Sequence, residues 1–117
     1  MFDVGVDDFD EQVLQASRHV PVLVDFWAAW CAPCLVLAPV LEGVVEGHHG
    51  GLRLAKVEVD ADENMRLAGQ YQVRGFPTVI LFSEGRERAR FSGARPAGWI
   101  EDWLDQEAGD VLAGLED

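Results

Sequence analysis

Positive charge is scarce in this sequence. Its 117 residues hold 9 basic side chains against 21 acidic ones, a net charge of −12, and lysine occurs once, at Lys56. A chain that grips nucleic-acid phosphates carries a basic footprint, so DNA and RNA are not expected as partners. Long apolar runs are missing too: no stretch approaches the ~20 residues that span a bilayer, which excludes a transmembrane helix. Cysteine is limited to two residues. That is too few for a disulfide scaffold, and a domain of this length needs none. The start, MFDVGVDDFDEQ, has neither a basic n-region nor an apolar h-region, so it does not read as a signal peptide. The expected setting is therefore cytoplasmic and reducing. No internal repeat or low-complexity tract appears.

What is present is the balance of a globular domain, 49% apolar and 26% charged. The apolar start Phe2–Val4 predicts an edge strand. A helix over Phe9–Ala16 follows, with Asp7 or Asp8 as its cap. Val20–Trp27, VPVLVDFW, is β-branched and nearly continuous, as in a central strand buried on both faces. A helix is expected from Cys34 to Glu46, with Leu37, Val40, Leu41 and Val44 inward, ended by His48-His49-Gly50-Gly51. Leu52–Val59 alternates as a strand does. Asp60 or Asp62 is placed to cap a short helix through Tyr71. Pro77–Phe82 and Arg86–Phe91 form a hairpin around Ser83-Glu84-Gly85. Pro96 suits the first turn of a last helix, with Ile100, Trp103 and Leu104 inside. The order β α β α β α β β α is that of an α/β domain: one central mixed sheet with helices on both faces.

Chemistry concentrates in Trp30-Cys31-Ala32-Pro33-Cys34, between the buried strand and the next helix. Two cysteines three apart at a helix N-terminus have their sulfurs within bridging reach. The first sulfur lies beside unpaired N–H groups and the positive end of the helix dipole, which stabilise a thiolate. A thiol so placed can fall from about 8.5 to roughly 3.5–7.5 in pKa. Only the thiolate attacks a disulfide, so Cys31 is the candidate nucleophile and the more interior Cys34 the resolving thiol. Pro33 stiffens the turn where no N–H donor is needed. The competing use of two such cysteines is half of a zinc site. The remaining soft ligands are His19, His48 and His49, and adjacent His48 and His49 lack the usual spacing for one metal. No metal is expected, and His48-His49 reads as a solvated loop.

Asp25 inside VLVDFW is costly to bury unless it is neutral or partnered, and burial raises its pKa. It lies on the strand that leads to the cysteines, where it can take a proton from Cys34. Lys56, in LAKVEV, can neutralise it. The alternative is that Asp25 sits at an edge and Lys56 snorkels to water. Phe76-Pro77 marks a strand start, since proline does not sit in a central strand. Trp27 reads as core. Trp30, beside the nucleophile, reads as a substrate contact. Trp99 and Trp103, four apart, pack at least in part.

Together these residues resemble the thioredoxin family over about Phe9–Leu104. VDFWAAWCAPC looks like the family's strand and redox motif, AKVEVD like its next strand, and VRGFPT like its loop with a cis-proline facing the cysteines. FSGA, with Gly93, looks like the strand end before the last helix. The family is itself one source of the lowered thiol range quoted above. The resemblance implies the thioredoxin fold and a protein-disulfide reductase. Cys31 attacks and Cys34 resolves, with Asp25 and Lys56 as the buried proton-handling pair. Trp30, Ala32, Pro33, Phe76, Pro77 and Gly93 form the shallow substrate-binding surface, where the Phe76 backbone pairs with the substrate chain like an added strand. It implies disulfide-containing protein substrates and an external thioredoxin reductase or other dithiol donor, no bound cofactor, and a monomer. Three positions depart from the family pattern: Ala32 for a glycine, Leu35 for a basic residue and Ala29 for an acidic one.

The sequence divides into a thioredoxin-like domain, residues 1–106, and an acidic tail or linker, residues 107–117. In the tail, Val111, Leu112 and Leu115 make a small apolar stripe. ENMRLAGQYQVRGFPT and the tail also look similar to the thioredoxin domain of bacterial chaperedoxins. That likeness implies a second reading, a client-holding module cut from a longer protein.

Overall fold

Strand β2 (Val22–Trp27) is the centre of the molecule. It pairs in parallel with β3 (Arg53–Glu58) and antiparallel with β4 (Thr78–Ser83). Short β1 (Phe2–Asp3) closes one edge against β3 and β5 (Arg86–Ser92) the other, giving the order β1-β3-β2-β4-β5. The computed structural model describes the backbone from Met1 to Glu116 and the side chains as far as Leu112. The expected order of strands and helices is the one observed.

Two apolar clusters lie on opposite faces of the sheet. On one face, Val22, Val24 and Phe26 pack with Phe9 and Val13 of the N-terminal helical segment and with Leu67 and Ala68 of α2 (Asn64–Gln70). On the other, Leu23, Leu54 and Leu81 pack with Leu37 and Leu41 of α1 (Ala32–Glu46) and with Ile100 and Leu104 of α3 (Ala97–Glu116). Side chains alternate along β2, so one strand supplies both faces, which explains its nearly continuous apolar sequence.

Local structure departs from expectation at three helix starts. The first helical segment is π-helical over Asp10–Gln15, then 3₁₀ over Ala16–Arg18, and neither Asp7 nor Asp8 caps it in the forward sense. The chain already turns at Gly5, whose carbonyl accepts from Phe9 N–H at 3.0 Å. Asp8 reaches back to accept from Gly5 N–H at 2.8 Å, as the third residue of a capping box does. Helix α2 has Glu63 at its N-cap position, and no side chain caps it. Helix α1 begins at Ala32, earlier than expected, because Pro33 is tolerated in the first turn and Cys31 serves as N-cap.

The β4–β5 turn is a two-residue loop with Glu84 and Gly85 both at positive φ, 57° and 82°. This geometry matches the twist of the flanking strands. Ser17 holds it from below, accepting from Glu84 N–H through its carbonyl and from Gly85 N–H through Oγ. His48 is not simply solvated: its Nε2 lies 3.1 Å from Glu101 on α3. Trp103 is buried, and Phe91 meets the rings of both Trp99 and Trp103 edge to face. Helix α3 breaks from helical geometry at Ala108 and then continues, with Ala108 and Leu112 buried in the second cluster. The side chain of Leu115 lies outside the described residues.

Candidate active site

The loop after β2 delivers Cys31 to the N-cap position of α1, in extended backbone (φ −97°, ψ 101°). Its Sγ accepts from Cys34 N–H at 3.3 Å, and its carbonyl accepts from Cys34 and Leu35 N–H. Cys31 and Cys34 are joined as a disulfide with Cα atoms 5.3 Å apart. Both are buried, Cys34 the more deeply. Reduction of this bond leaves the Cys31 sulfur where the first N–H groups and the positive end of α1 converge. Both favour its thiolate over its thiol.

Asp25 is fully buried in the central strand, between Lys56 of β3 and Val79 of β4. This excludes the edge position. Neither carboxylate oxygen has a hydrogen-bond partner among the described residues. Burial pushes its pKa up to about 7, while the Lys56 ammonium pulls the other way. Lys56 does not touch the carboxylate. Its Nζ lies 4.6 Å from the centre of the Trp27 ring, on the same face of the sheet. The pairing is thus an attraction through space, with the ammonium held against an aromatic face.

The position of Asp25 relative to the cysteines follows from topology. Helix α1 connects parallel strands β2 and β3, so it runs back along the sheet. Its buried stripe is Cys34, Leu37, Leu41 and Val44, and Leu37 shares a cluster with Leu23. Two residues beyond Leu23 along the strand is Asp25, and one turn back along the helix from Leu37 is Cys34. Both steps run toward the end of the sheet where Cys31 and Cys34 pack in the cluster of Val24 and Phe26.

The loop before β4 supplies the other wall. The Phe76–Pro77 peptide is cis, as the likeness of VRGFPT implied. Pro77 carbonyl accepts from Gly93 N–H at 2.9 Å, and Gly93 adopts φ 84°, a conformation glycine reaches without strain. Gly75 carbonyl accepts from Thr78 Oγ1 at 2.7 Å. Between these engaged neighbours, the Phe76 main chain has no hydrogen-bond partner among the described residues. The ring of Phe76 meets that of exposed Trp30 edge to face, with centroids 6.0 Å apart. Ala32 and Pro33 are exposed on the helix side.

Two polar residues have partners that the sequence does not predict. Asp60, expected to cap a helix, instead accepts from Trp30 Nε1 at 2.6 Å and so orients the indole. Asn64 was not singled out. It is buried at the start of α2, where its Oδ1 accepts from Val6 N–H and its Nδ2 donates to Glu58 carbonyl. A Cβ on Gly5 would stand 2.8 Å from that Oδ1, so the close approach depends on glycine there. The signal for Asn64 was slight, a polar residue at the head of an apolar helix face.

A model of the Thioredoxin family matches residues 2–106. A protein named thioredoxin from Acidithiobacillus ferridurans is 41% identical over 104 residues, covering 89% of this chain and 93% of that one. A thioredoxin of Mycolicibacterium smegmatis is 46% identical over 89 residues, 76% of this chain and 78% of its own. A probable thioredoxin-2 of Caenorhabditis elegans is 44% identical over 115 residues, 97% of this chain and 73% of its own. With the paired Cys31 and Cys34 at the head of α1, these matches establish that the chain belongs to the thioredoxin family and is a thiol–disulfide oxidoreductase that reduces protein disulfides.

Proposed function

We propose the following division of labour. The Cys31 thiolate attacks one sulfur of a substrate disulfide, forming a mixed disulfide and releasing the other substrate sulfur as a thiolate. The Asp25 carboxylate accepts the Cys34 proton. The Cys34 thiolate then attacks Cys31 Sγ, breaking the mixed disulfide, releasing the second substrate thiolate and leaving the Cys31–Cys34 disulfide. Two electrons have passed to the substrate, and an external dithiol donor such as a thioredoxin reductase returns them. With a pKa of about 7, Asp25 is divided between acid and base near neutrality, which suits a group that must both take and return a proton. Lys56 keeps that value from climbing further.

The substrate lies across Trp30, Ala32, Pro33, Phe76, Pro77 and Gly93. The unengaged main chain of Phe76 supports pairing with an extended substrate segment. Residues 1–106 make up the redox domain, with 107–117 an appended acidic segment. A single chain carries every group the exchange uses, and a reducing compartment such as the cytoplasm suits its direction.

The observation that carries this reading is the Cys31 sulfur at the N-cap of α1, accepting the Cys34 N–H at 3.3 Å. The test is insulin-disulfide reduction driven by NADPH and a bacterial thioredoxin reductase. Cys31→Ser is expected to abolish turnover. Cys34→Ser is expected to attack once and accumulate the mixed disulfide through Cys31. Substantial reduction by Cys31→Ser would falsify the assignment of the nucleophile.

A further inference from the structure

The apolar surface does not stop at the residues just named. From Ala28 to Leu41 the chain contains no charged residue, in a protein of net charge −12. The outer side of the first turns of α1 is correspondingly bare. Leu35 is 53% exposed and Val36 63% exposed, comparable with Trp30 at 66%. Leu35 stands four residues after Cys31, and its N–H donates to the Cys31 carbonyl. Four residues is about one turn and about 6 Å of rise, so Leu35 lies under the attacking cysteine on the same side of the helix. Val36 relates to exposed Ala32 in the same way. Leu35 and Val36 thus continue the exposed apolar surface of Trp30, Ala32 and Pro33 along the outer side of α1.

Exposed apolar residues contiguous with a reactive group mark a contact surface rather than scattered surface leucines. We propose that Leu35 and Val36 are specificity-determining residues. They form a second docking wall, whose occupant is an extended segment of the substrate protein carrying a bulky apolar residue beside its reactive cysteine. This rests on the redox reading above and names the substrate class for it. A charged flanking residue would lose its hydration on this wall without meeting an opposite charge, which makes the wall selective as well as adhesive.

The test uses two disulfide-linked peptides of equal length, one with leucine and phenylalanine flanking the reactive cysteine, the other with aspartate and serine. The quantity read is the ratio of kcat/KM for the apolar peptide to that for the charged one. The wild-type protein is expected to prefer the apolar peptide. Leu35→Asn with Val36→Thr keeps the surface neutral and nearly isosteric, so the electrostatics of the cysteines are preserved. That double variant is expected to lower the ratio roughly five-fold, the loss of about half a buried leucine. Val36→Thr alone is expected to lower it by a smaller factor. An unchanged ratio in the double variant overturns the docking wall. Failure of the wild-type protein to reduce either peptide overturns the redox reading beneath it instead.

Discussion

Asn64 and Asp25 are both polar side chains buried in this fold, and their surroundings differ completely. Asn64 joins the start of α2 to the N-terminal segment and to the end of β3, and both ends of its amide are hydrogen-bonded to backbone. Asp25 sits in the central strand with neither oxygen hydrogen-bonded among the described residues. A satisfied buried amide is a structural tie. A buried carboxylate without hydrogen bonds is a cost that packing alone does not require, and such costs gather where chemistry needs them. The contrast separates the part of the molecule that holds the loop from the part that moves a proton.

The sharpest test of the contrast is pH. Asp25 has a folded pKa of about 7 against an ordinary 3.8. Between those values the folded protein holds a proton that the unfolded chain has lost. The contribution of Asp25 to stability is therefore most favourable below about pH 4, falls as pH rises through this window, and levels off above about 7. At pH 8 the buried charge costs on the order of 4 kcal/mol. Asp25→Asn removes that charge. It is expected to be more stable than the wild type at pH 8 by a margin of that order, with the margin vanishing near pH 4, and to reduce disulfides more slowly at neutral pH. Urea unfolding at the two pH values reads the first effect and single-turnover exchange the second. Equal margins at both pH values would break the assignment of Asp25 as a titrating buried acid.

Asn64→Ala is expected to behave in the opposite way. It strands the Val6 N–H and the Glu58 carbonyl, a loss of about 2 kcal/mol. No group in that network titrates between pH 4 and 8, so the loss should be the same at both. Intrinsic exchange at Cys31 with a small disulfide should change little. A strong pH dependence of this variant would erase the distinction between the two sites.

The sequence revealed Asp25 but not Asn64, for a physical reason. A lone carboxylate inside VLVDFW conflicts with its own neighbours, and such conflict is visible along the chain. Asn64 violates nothing locally, because its partners are Val6, 58 residues away, and Glu58 across a turn. Asp60 was misread similarly: its spacing suits a helix cap, yet the acceptor is taken by Trp30, 30 residues earlier. Strand order, the cysteine motif and the inner faces of α1 and α3 were legible because hydrophobic period and turn residues are local signals. Which donor a polar side chain finds depends on which loops the fold brings together.

Lys56 tests the electrostatic side of the comparison at smaller amplitude. Its ammonium lowers the Asp25 pKa from across the register while resting against Trp27. Lys56→Met keeps the length and loses the charge. The Asp25 pKa is then expected to rise further above its ordinary value. Stability at pH 8 should fall by about 1–2 kcal/mol, from lost attraction at an effective dielectric near 20, with little change near pH 4. Combined with Asp25→Asn, most of the Lys56→Met effect should disappear, because its target is gone. Full additivity in that double-mutant cycle would mean that Lys56 acts through Trp27 packing and not through the acid.

The smallest expected effect is at Asp60, which belongs to neither class. Its bond to Trp30 is short but exposed, so water competes for both partners. Asp60→Ala is expected to cost less than about 1 kcal/mol of stability. What it removes is the constraint on an indole that borders the attacking sulfur. The fluorescence of Trp30 should therefore change while the pH dependence set by Asp25 stays in place. Reduction of protein substrates should slow by no more than about three-fold, the rate equivalent of a weak exposed hydrogen bond. A ten-fold loss confined to protein substrates, with small disulfides unaffected, would show that the fixed orientation of Trp30 is itself part of docking. The comparison would then need a third kind of polar group, one that is exposed and satisfied and yet serves function by holding an apolar ring in place.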